Sequence, residues 1–303
     1  MRTKKTGETL RKIRKNANAT VKEFYGTIIS EQYAYRVEND LQKISQKNLN
    51  AILEKQNILP DEFVFIQNNF MKNDLEQVLD QLFALSSNLD TKKIQKLLEV
   101  INTKKATNPS PFYNYLEQVL KAYPFFNKKQ HFHTLLEPIW NELAKKEQWT
   151  YCELVVVNLV IYAFDFSSID VLAKRLFKEL ERYRTFKNVA RLQLITWFNY
   201  CTLLRTHGRI METKPLLKKT LEQALAQNNG LLICECKFRL LEIAWLEKSE
   251  AETKLHAKVS KIISALRLLH HTKIAEDLSQ DWQKRTGHIL EEEISDPCIV
   301  FYK

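Results

Sequence analysis

Eight basic residues, Arg2, Lys4, Lys5, Arg11, Lys12, Arg14, Lys15 and Lys22, stand against one acid, Glu8, within the first 22 positions. Cations clustered in this way at one end of a chain suit the neutralisation of phosphates, and a solvated charged helix face is the alternative. Other chemistry is harder to assemble. Cys234 and Cys236, like His131 and His133, are two residues apart on expected helices and so point in different directions; the adjacent His270 and His271 have no evident partner cluster. With five glycines and no GxxxxGK[ST] or GxGxxG loop, nucleotide hydrolysis and dinucleotide cofactors are not expected. No nucleophile, base and orienter come together in the sequence, so an enzyme is not expected, and neither a cofactor nor a metal is.

The elements that would hold the basic cluster are helices. The 303 residues are 45% apolar, which is enough for full cores in about two domains, and the net charge is +10. Gly (5) and Pro (7) are scarce, so the hairpin chemistry of sheets is missing and an all-α chain is expected. The five cysteines (Cys152, Cys201, Cys234, Cys236, Cys298) are odd in number and scattered, and no apolar run follows the basic start. The apolar stretch 154–166 is interrupted by Asn158 and Asp165 and is shorter than the roughly 20 residues of a membrane span. A cytoplasmic location without membrane contact follows as the expectation.

Five short helices are expected between Thr6 and Phe65. Thr9, Leu10, Ile13 and Ala17 give the first an inward face, leaving Arg11, Lys12, Arg14 and Lys15 on the remainder. Thr20 can cap a second helix carrying Val21, Phe24 and Tyr25, which Gly26 would end. Ser30 is a natural N-cap for a third, SEQYAYRVEN, with Ala34 and Val37 inward and Gln32, Tyr33, Tyr35 and Arg36 available outside. That is the layout of a helix-turn-helix. A fourth helix from Ser45 carries Leu49, Ile52 and Leu53, and Pro60 sits in the first turn of a fifth.

The segments TGETLRKIRK, SEQYAYRVEN and ISQKNLNAILEKQNILPDEFV resemble the N-terminal domain of the Rgg/GadR/MutR regulators, within a wider peptide-sensing group. The likeness extends to length and domain order, although only these segments carry specific motifs. Where the family commonly reads Ser-Arg-Phe-Glu-Arg-Gly at the end of the third helix, this chain reads Tyr35-Arg36-Val37-Glu38-Asn39-Asp40. Asn39 is expected to take the left-handed conformation that glycine supplies. Tyr33 replaces the usual glutamine, so base preference should differ from relatives. Gln46 stands where some relatives have a dimer-linking cysteine, which leaves a disulfide-locked dimer there without support.

The resemblance implies roles for double-stranded DNA. Gln32 would make paired hydrogen bonds to adenine, and Tyr33, Tyr35 and Arg36 would lie on the same groove-facing helix. Arg11, Lys12, Lys22 and Lys47 would hold phosphates, with backbone amides at the helix starts Ser30 and Ser45 adding to them. Arg14 has two readings: a DNA contact, or a buried pair with Glu38 joining the first helix to the end of the third.

Beyond these helices the pattern is helical throughout. Linker helices are expected over 68–110, ending at the polar break Thr107-Asn108-Pro109-Ser110-Pro111. Helix pairs then recur at 112–123 with 129–146, 149–164 with 168–182, 187–207 with 211–228, and 231–248 with 250–269. Their first helices start at 112, 149, 187 and 231, steps of 37, 38 and 44. A period of about 34 to 47 residues marks helical solenoids of the TPR or HEAT kind. A final helix from Ile274 to Glu292 would cap the stack, and the five tryptophans read as core anchors.

The fold expected is therefore an N-terminal helix-turn-helix domain (1–67), linker helices (68–110) and a TPR-like repeat domain (111–303). The resemblance implies a homodimer that binds an operator and is controlled by a short signalling peptide on the concave side of the repeats. By position, Asn158, Tyr162, Arg191, Asn199 and Arg239 would contact that peptide; core-edge or surface roles are the alternative for each. Two other readings stay open. One is a regulator of the same build without a peptide ligand, and the other is a repeat-domain interaction module that does not bind DNA.

Overall fold

The computed structural model describes residues 5–85, 91–126, 128–163, 169–187 and 189–290, the side chain of Lys129 excepted. Among them every regular element is a helix and none is a strand. The fold is all-α, a helix-turn-helix followed by TPR-like helical repeats. The chain divides between Lys104 and Lys105 into two compact units.

In the first unit, helices α1 (Thr6–Asn16), α2 (Val21–Tyr25), α3 (Glu31–Glu38), α4 (Gln46–Lys55) and α5 (Pro60–Gln67) surround one core. Leu10, Phe24, Tyr25, Ile29, Ala34, Val37, Ile52, Leu53 and Phe63 build it, each 6% exposed or less. The short helices need their caps, since a free five-residue helix would not persist. Thr20 and Glu23 form a reciprocal capping box on α2, and the Ser30 and Ser45 hydroxyls accept from Tyr33 N and Asn48 N at 3.2 Å. Gly7 is where α1 meets the end of α3: a Cβ there would lie 1.8 Å from Val37 O, so only glycine allows the approach. Two further helices, α6 (Asp74–Phe83) and α7 (Thr91–Thr107), follow; the division into units falls inside α7.

The end of α3 corrects one expectation. Asn39 is not left-handed (φ −100°); Asp40 is, at φ 57°. Asn39 instead closes the helix: its backbone N–H returns to Tyr35 O and Val37 O, and its side-chain amide donates to Tyr35 O at 2.8 Å. The reversal is therefore taken one residue later.

The second unit stacks helix pairs: α8 (Pro111–Ala122) with α9 (Lys129–Ala144), α10 (Tyr151–Leu159) with α11 (Ile169–Arg182), α12 (Val189–Thr206) with α13 (Lys214–Ala226), and α14 (Gly230–Leu246) with α15 (Glu252–Leu268). Each consecutive helix packs on the last, and the first helices α8, α10 and α12 also touch in sequence, so they form a row. Helix α16 (Thr272–Thr286) packs on α15 through Ile274, Ala275, Leu278 and Trp282. The capping helix is shorter than expected, because Gly287 (φ 73°) turns left-handed directly after Thr286 and stops it. Trp149, Trp197 and Trp282 are buried. Glu291 to Lys303, including Cys298 and the last residues of the expected capping helix, lie outside the described residues.

Candidate functional site

In the first unit, one ion pair orients the helix that carries the exposed polar side chains. Arg14 Nε and Nη2 donate to the two Glu38 carboxylate oxygens at 2.7 Å each, and Nη1 donates to Ala19 O at 3.0 Å. Tyr25 Oη also donates to Glu38, at 2.8 Å. Side chains from α1, α2 and α3 thus converge on one carboxylate that is 5% exposed. Burial pushes the Glu38 carboxyl up, but the hydrogen bonds from Arg14 and Tyr25 and the charge of Arg14 outweigh it and hold the group below the usual carboxylate range. Of the two readings of Arg14, the geometry supports the ion pair, since three N–H groups are committed within the unit.

The other residues of this set fall into two groups. Gln32, Tyr35 and Arg36 are exposed on α3, and Ser30 is exposed at its start with its hydroxyl committed to the cap. Arg11, Lys22 and Lys47 are exposed on α1, α2 and the first turn of α4; Arg11 Nη1 donates to Asn39 Oδ1 at 3.3 Å. Tyr33 and Lys12 are drawn inward. Tyr33 packs against the core, with its hydroxyl donating to Lys43 O at 2.9 Å, and Lys12 Nζ lies 5.0 Å from the centre of the Phe70 ring. Sequence reasoning missed the clamp on α2. Lys55 Nζ donates to Glu23 O (2.6 Å) and Phe24 O (3.2 Å), and Gln56 Nε2 donates to Phe24 O (2.6 Å), so α4 satisfies carbonyls at the end of a helix too short to do so itself.

In the second unit, three of the five candidate ligand contacts meet. Asn199 Nδ2 donates to Asn158 Oδ1 at 3.3 Å, and the Tyr162 hydroxyl donates to Asn199 Oδ1 at 3.2 Å. This joins α12 to α10 and to the short turn after it. Asn158 is 3% exposed, and burial pushes the Tyr162 phenol up. Arg191 is not part of this group: it is exposed, lies about 12 Å before Asn199 by helical rise, and its charge acts on Tyr151.

Arg239 belongs to a different constellation. Its Nη1 donates to Glu242 (3.1 Å) and Asp281 (3.0 Å). Arg205 reaches the same two acids, through Nε and Nη2 to Glu242 (2.6 to 3.0 Å) and through Nη2 to Asp281 (2.5 Å). Arg285 Nε lies 2.7 Å from Glu242. Three guanidiniums and two carboxylates therefore link α12, α14 and α16, around a Glu242 side chain that is 1% exposed. Burial pushes the Asp281 carboxyl up, and Arg205 and Arg239 pull it net downward. Sequence reasoning missed four of these five residues. The signal was charge at 235, 239 and 242 on the largely apolar α14, which also carries Lys237, matched by 277, 281 and 285 on α16, each set at helical spacing.

Among the described residues no helix is long and apolar enough to cross a membrane, and no group of three or more His, Cys, Asp or Glu side chains is placed to hold a metal ion.

Residues 95–280 match a family model described as HTH-type transcriptional regulator Rgg, C-terminal domain. A search of curated protein sequences finds no match. Among solved structures, the chain is similar to a protein from Listeria monocytogenes EGD-e described as a candidate transcriptional regulator (TM-score 0.70, 20% identity, covering 94% of this chain and 98% of that one). It is similar to Bacillus thuringiensis PlcR in complex with the peptide PapR7 and DNA (TM-score 0.65, 19% identity, 91% and 99%). It is also similar to the Streptococcus dysgalactiae SHP pheromone receptor Rgg2 (TM-score 0.61, 15% identity, 93% and 100%).

Proposed function

The chain belongs to the Rgg family of HTH-type transcriptional regulators, and from that premise we propose that it is a homodimer that reads an operator through α3 and is switched by a short peptide held on the first-helix row. The observation that carries the DNA reading is the exposure of Gln32, Tyr35 and Arg36 on one helix. That helix is fixed from behind by the Arg14, Tyr25 and Glu38 cluster and flanked by the cations Arg11, Lys22 and Lys47. Gln32 and Arg36 would read base edges, and Tyr35 would contact sugars or a thymine methyl. Arg11, Lys22, Lys47 and the amides at the starts of α3 and α4 would hold phosphates, with Lys12 and Tyr33 at the margin of the contact. Residues 1–67 would form the reader, 68–110 the linker and 111–303 the sensing and dimerising part. Two-fold symmetry would match two half-sites about one helical turn apart.

For the peptide, support comes from the amide chain Asn158, Asn199 and Tyr162 on the first-helix row, whose side chains suit an extended backbone. It comes also from the similar PlcR structure, a complex with both a peptide and DNA. Control requires that the peptide bind the two arrangements of the dimer unequally. A ligand-free regulator is the second reading, and it is favoured by the fact that these amides already satisfy one another. A peptide co-purifying with the protein, identified by mass spectrometry, decides against it.

The experiment is a mobility shift on the DNA upstream of the gene and its neighbours at two salt concentrations, for wild type and for the double variant Gln32→Ala/Arg36→Ala. Selective, salt-sensitive binding is expected, weakened about 100-fold or more in the variant, since each base contact contributes about 1–3 kcal/mol. No selective binding by a folded dimer would overturn the reading.

A further inference from the structure

The turn between α3 and α4 is anchored at almost every residue. Asp40 takes the left-handed conformation (φ 57°), and the backbone N–H groups of Leu41 and Gln42 both donate to Arg36 O, at 2.8 and 3.2 Å. Lys43 O accepts from the Tyr33 hydroxyl at 2.9 Å, Ile44 packs against the core, and the Ser45 hydroxyl caps α4. With Ile44 turned inward, its neighbour Lys43 is left outside and exposed. Among the described residues nothing pairs with the Lys43 ammonium, although the backbone that carries it is held from three sides.

These anchors fix where the turn lies. Tyr33 and Arg36 are three residues apart and share one side of α3, so the turn runs back along that side from the level of Arg36 to the level of Tyr33. Arg36 also belongs to the exposed set with Gln32 and Tyr35, which places the turn directly beside the side chains suited to the bases. A helix lying in the major groove has a sugar-phosphate strand on each of its flanks. The turn therefore stands where one of those strands passes, and it leads straight into the start of α4, with Ser45 and Lys47 two and four residues beyond Lys43. Tyr33, at the place where a glutamine is usual, thus gives its hydroxyl to this turn. A segment ordered in advance loses less conformational freedom when a ligand engages it.

We propose that this turn is a further DNA contact of the reader, in which Lys43 holds the phosphate strand that passes beside α3 and Tyr33 is the positioning residue that sets it there. The inference rests on the DNA reading above and adds to it a contact that reads no sequence. An ammonium on a phosphate contributes affinity and register on the duplex, and it does so equally for every base pair. Tyr33 acts only through the Lys43 carbonyl, so its hydroxyl matters to DNA binding as long as Lys43 carries its charge.

The test uses the full-length protein and two duplexes of equal length, the upstream fragment that wild type retains best in the mobility shift and an unrelated sequence. Affinities are measured over a range of about 50 to 300 mM salt for wild type, Lys43→Ala, Lys43→Arg, Tyr33→Phe and Tyr33→Phe/Lys43→Ala. Lys43→Ala should weaken binding to both duplexes alike, by about eightfold per subunit at about 0.1 M salt, and should lower the slope of log affinity against log salt by about 0.9 per subunit. Lys43→Arg, which keeps the charge, should restore both. Tyr33→Phe keeps the ring in the core and loses only the hydroxyl; it should lower affinity and slope in the same direction, and adding Lys43→Ala to it should cost less than Lys43→Ala costs alone. A merely structural Tyr33 would leave the slope where it is. An unchanged slope in Lys43→Ala, or a loss confined to the upstream duplex, overturns the contact and leaves base reading by Gln32 and Arg36 standing. An unchanged slope in Tyr33→Phe, or full additivity of the two substitutions, overturns the positioning role. Equal affinity of folded wild type for the two duplexes removes the DNA reading itself, and this proposal with it. Helical circular dichroism equal to wild type shows that each variant is folded, and Lys43→Ala, at an exposed position, tests the contact even where Tyr33→Phe loosens the unit.

Discussion

The two units use buried charge for different ends. In the first, one arginine and one tyrosine converge on Glu38 and fasten three helices, while the side chains suited to recognition stay outside and exposed. In the second, five charged residues from α12, α14 and α16 form a network around Glu242, and the polar groups suited to recognition lie among the helices, bonded to one another. The difference shows that a surface reader can separate its frame from its contacts, whereas a site lined by stacked helices must build both from the same faces. Buried charges contribute little net stability when paired and cost a great deal when one partner is lost, so the comparison can be tested one residue at a time. All five tryptophans, Trp140, Trp149, Trp197, Trp245 and Trp282, belong to the second unit. Tryptophan fluorescence therefore follows that unit alone, while helical circular dichroism follows both.

The largest effect is expected at the network. Glu242→Gln leaves Arg205 and Arg239 facing Asp281 alone and takes from Arg285 the carboxylate beside its Nε, and should destabilise the second unit by about 4 kcal/mol, seen as a lower midpoint of the tryptophan transition in urea. An unchanged midpoint would mean that the network is solvated and that the contrast between the units is false.

Arg14→Ala should cost the first unit about 3 kcal/mol, because Glu38 keeps only the Tyr25 hydroxyl. Thermal melts should lose an early circular-dichroism transition while the tryptophan transition stays in place. Because the folded Glu38 carboxyl is held below its unfolded value, its stabilisation is present above about pH 4.3 and disappears as pH falls through the folded value; the variant should therefore flatten the acid limb of the melting curve. An unchanged melting temperature combined with lost DNA binding would restore the DNA-contact reading of Arg14.

A gain is expected from Glu235→Gln. With its folded value pushed up by burial to about 7, this acid costs stability as pH rises from about 4.3 towards 7, and the cost is complete above that. The glutamine should raise the stability of the second unit by about 2 kcal/mol at pH 8 and leave it unchanged near pH 4, measured by urea titration at both values.

The smallest effect is at a cap. Ser30→Ala removes the hydroxyl that accepts from Tyr33 N and should cost about 1 kcal/mol. It should lower DNA affinity through disorder at the start of α3, and a melt in the presence of operator DNA should recover part of the loss.

Much of the first unit was legible because its instructions are local. Thr20, Ser30 and Ser45 each cap the helix that follows them, as their types and positions announce, and Ala34 and Val37 bury at the helical spacing read for them. The helix pairs of the second unit were legible for the same reason, from apolar periodicity and a repeat of about 40 residues. Asn158, Tyr162 and Asn199 were picked out by position as peptide contacts, with Arg191 and Arg239, and the structure brings these three together. Arg205, Glu242, Asp281 and Arg285 were not found, since their partners lie 37 or more positions away for Arg205 and 42 away for Arg239 with Asp281.

The sequence alone determined that the chain is helical, where most of its helices begin and which of their faces are apolar, because caps, turn residues and periodicity act within a few residues of themselves. Only the tertiary structure decided which polar side chains are committed and which are open. Arg239 looks on paper as available as Arg36, the pairing of Arg14 with Glu38 was one of two readings, and Glu235 looks as ordinary as Glu222. Whether a charge is paired depends on what another helix brings within about 3 Å of it, and no local pattern encodes that distance.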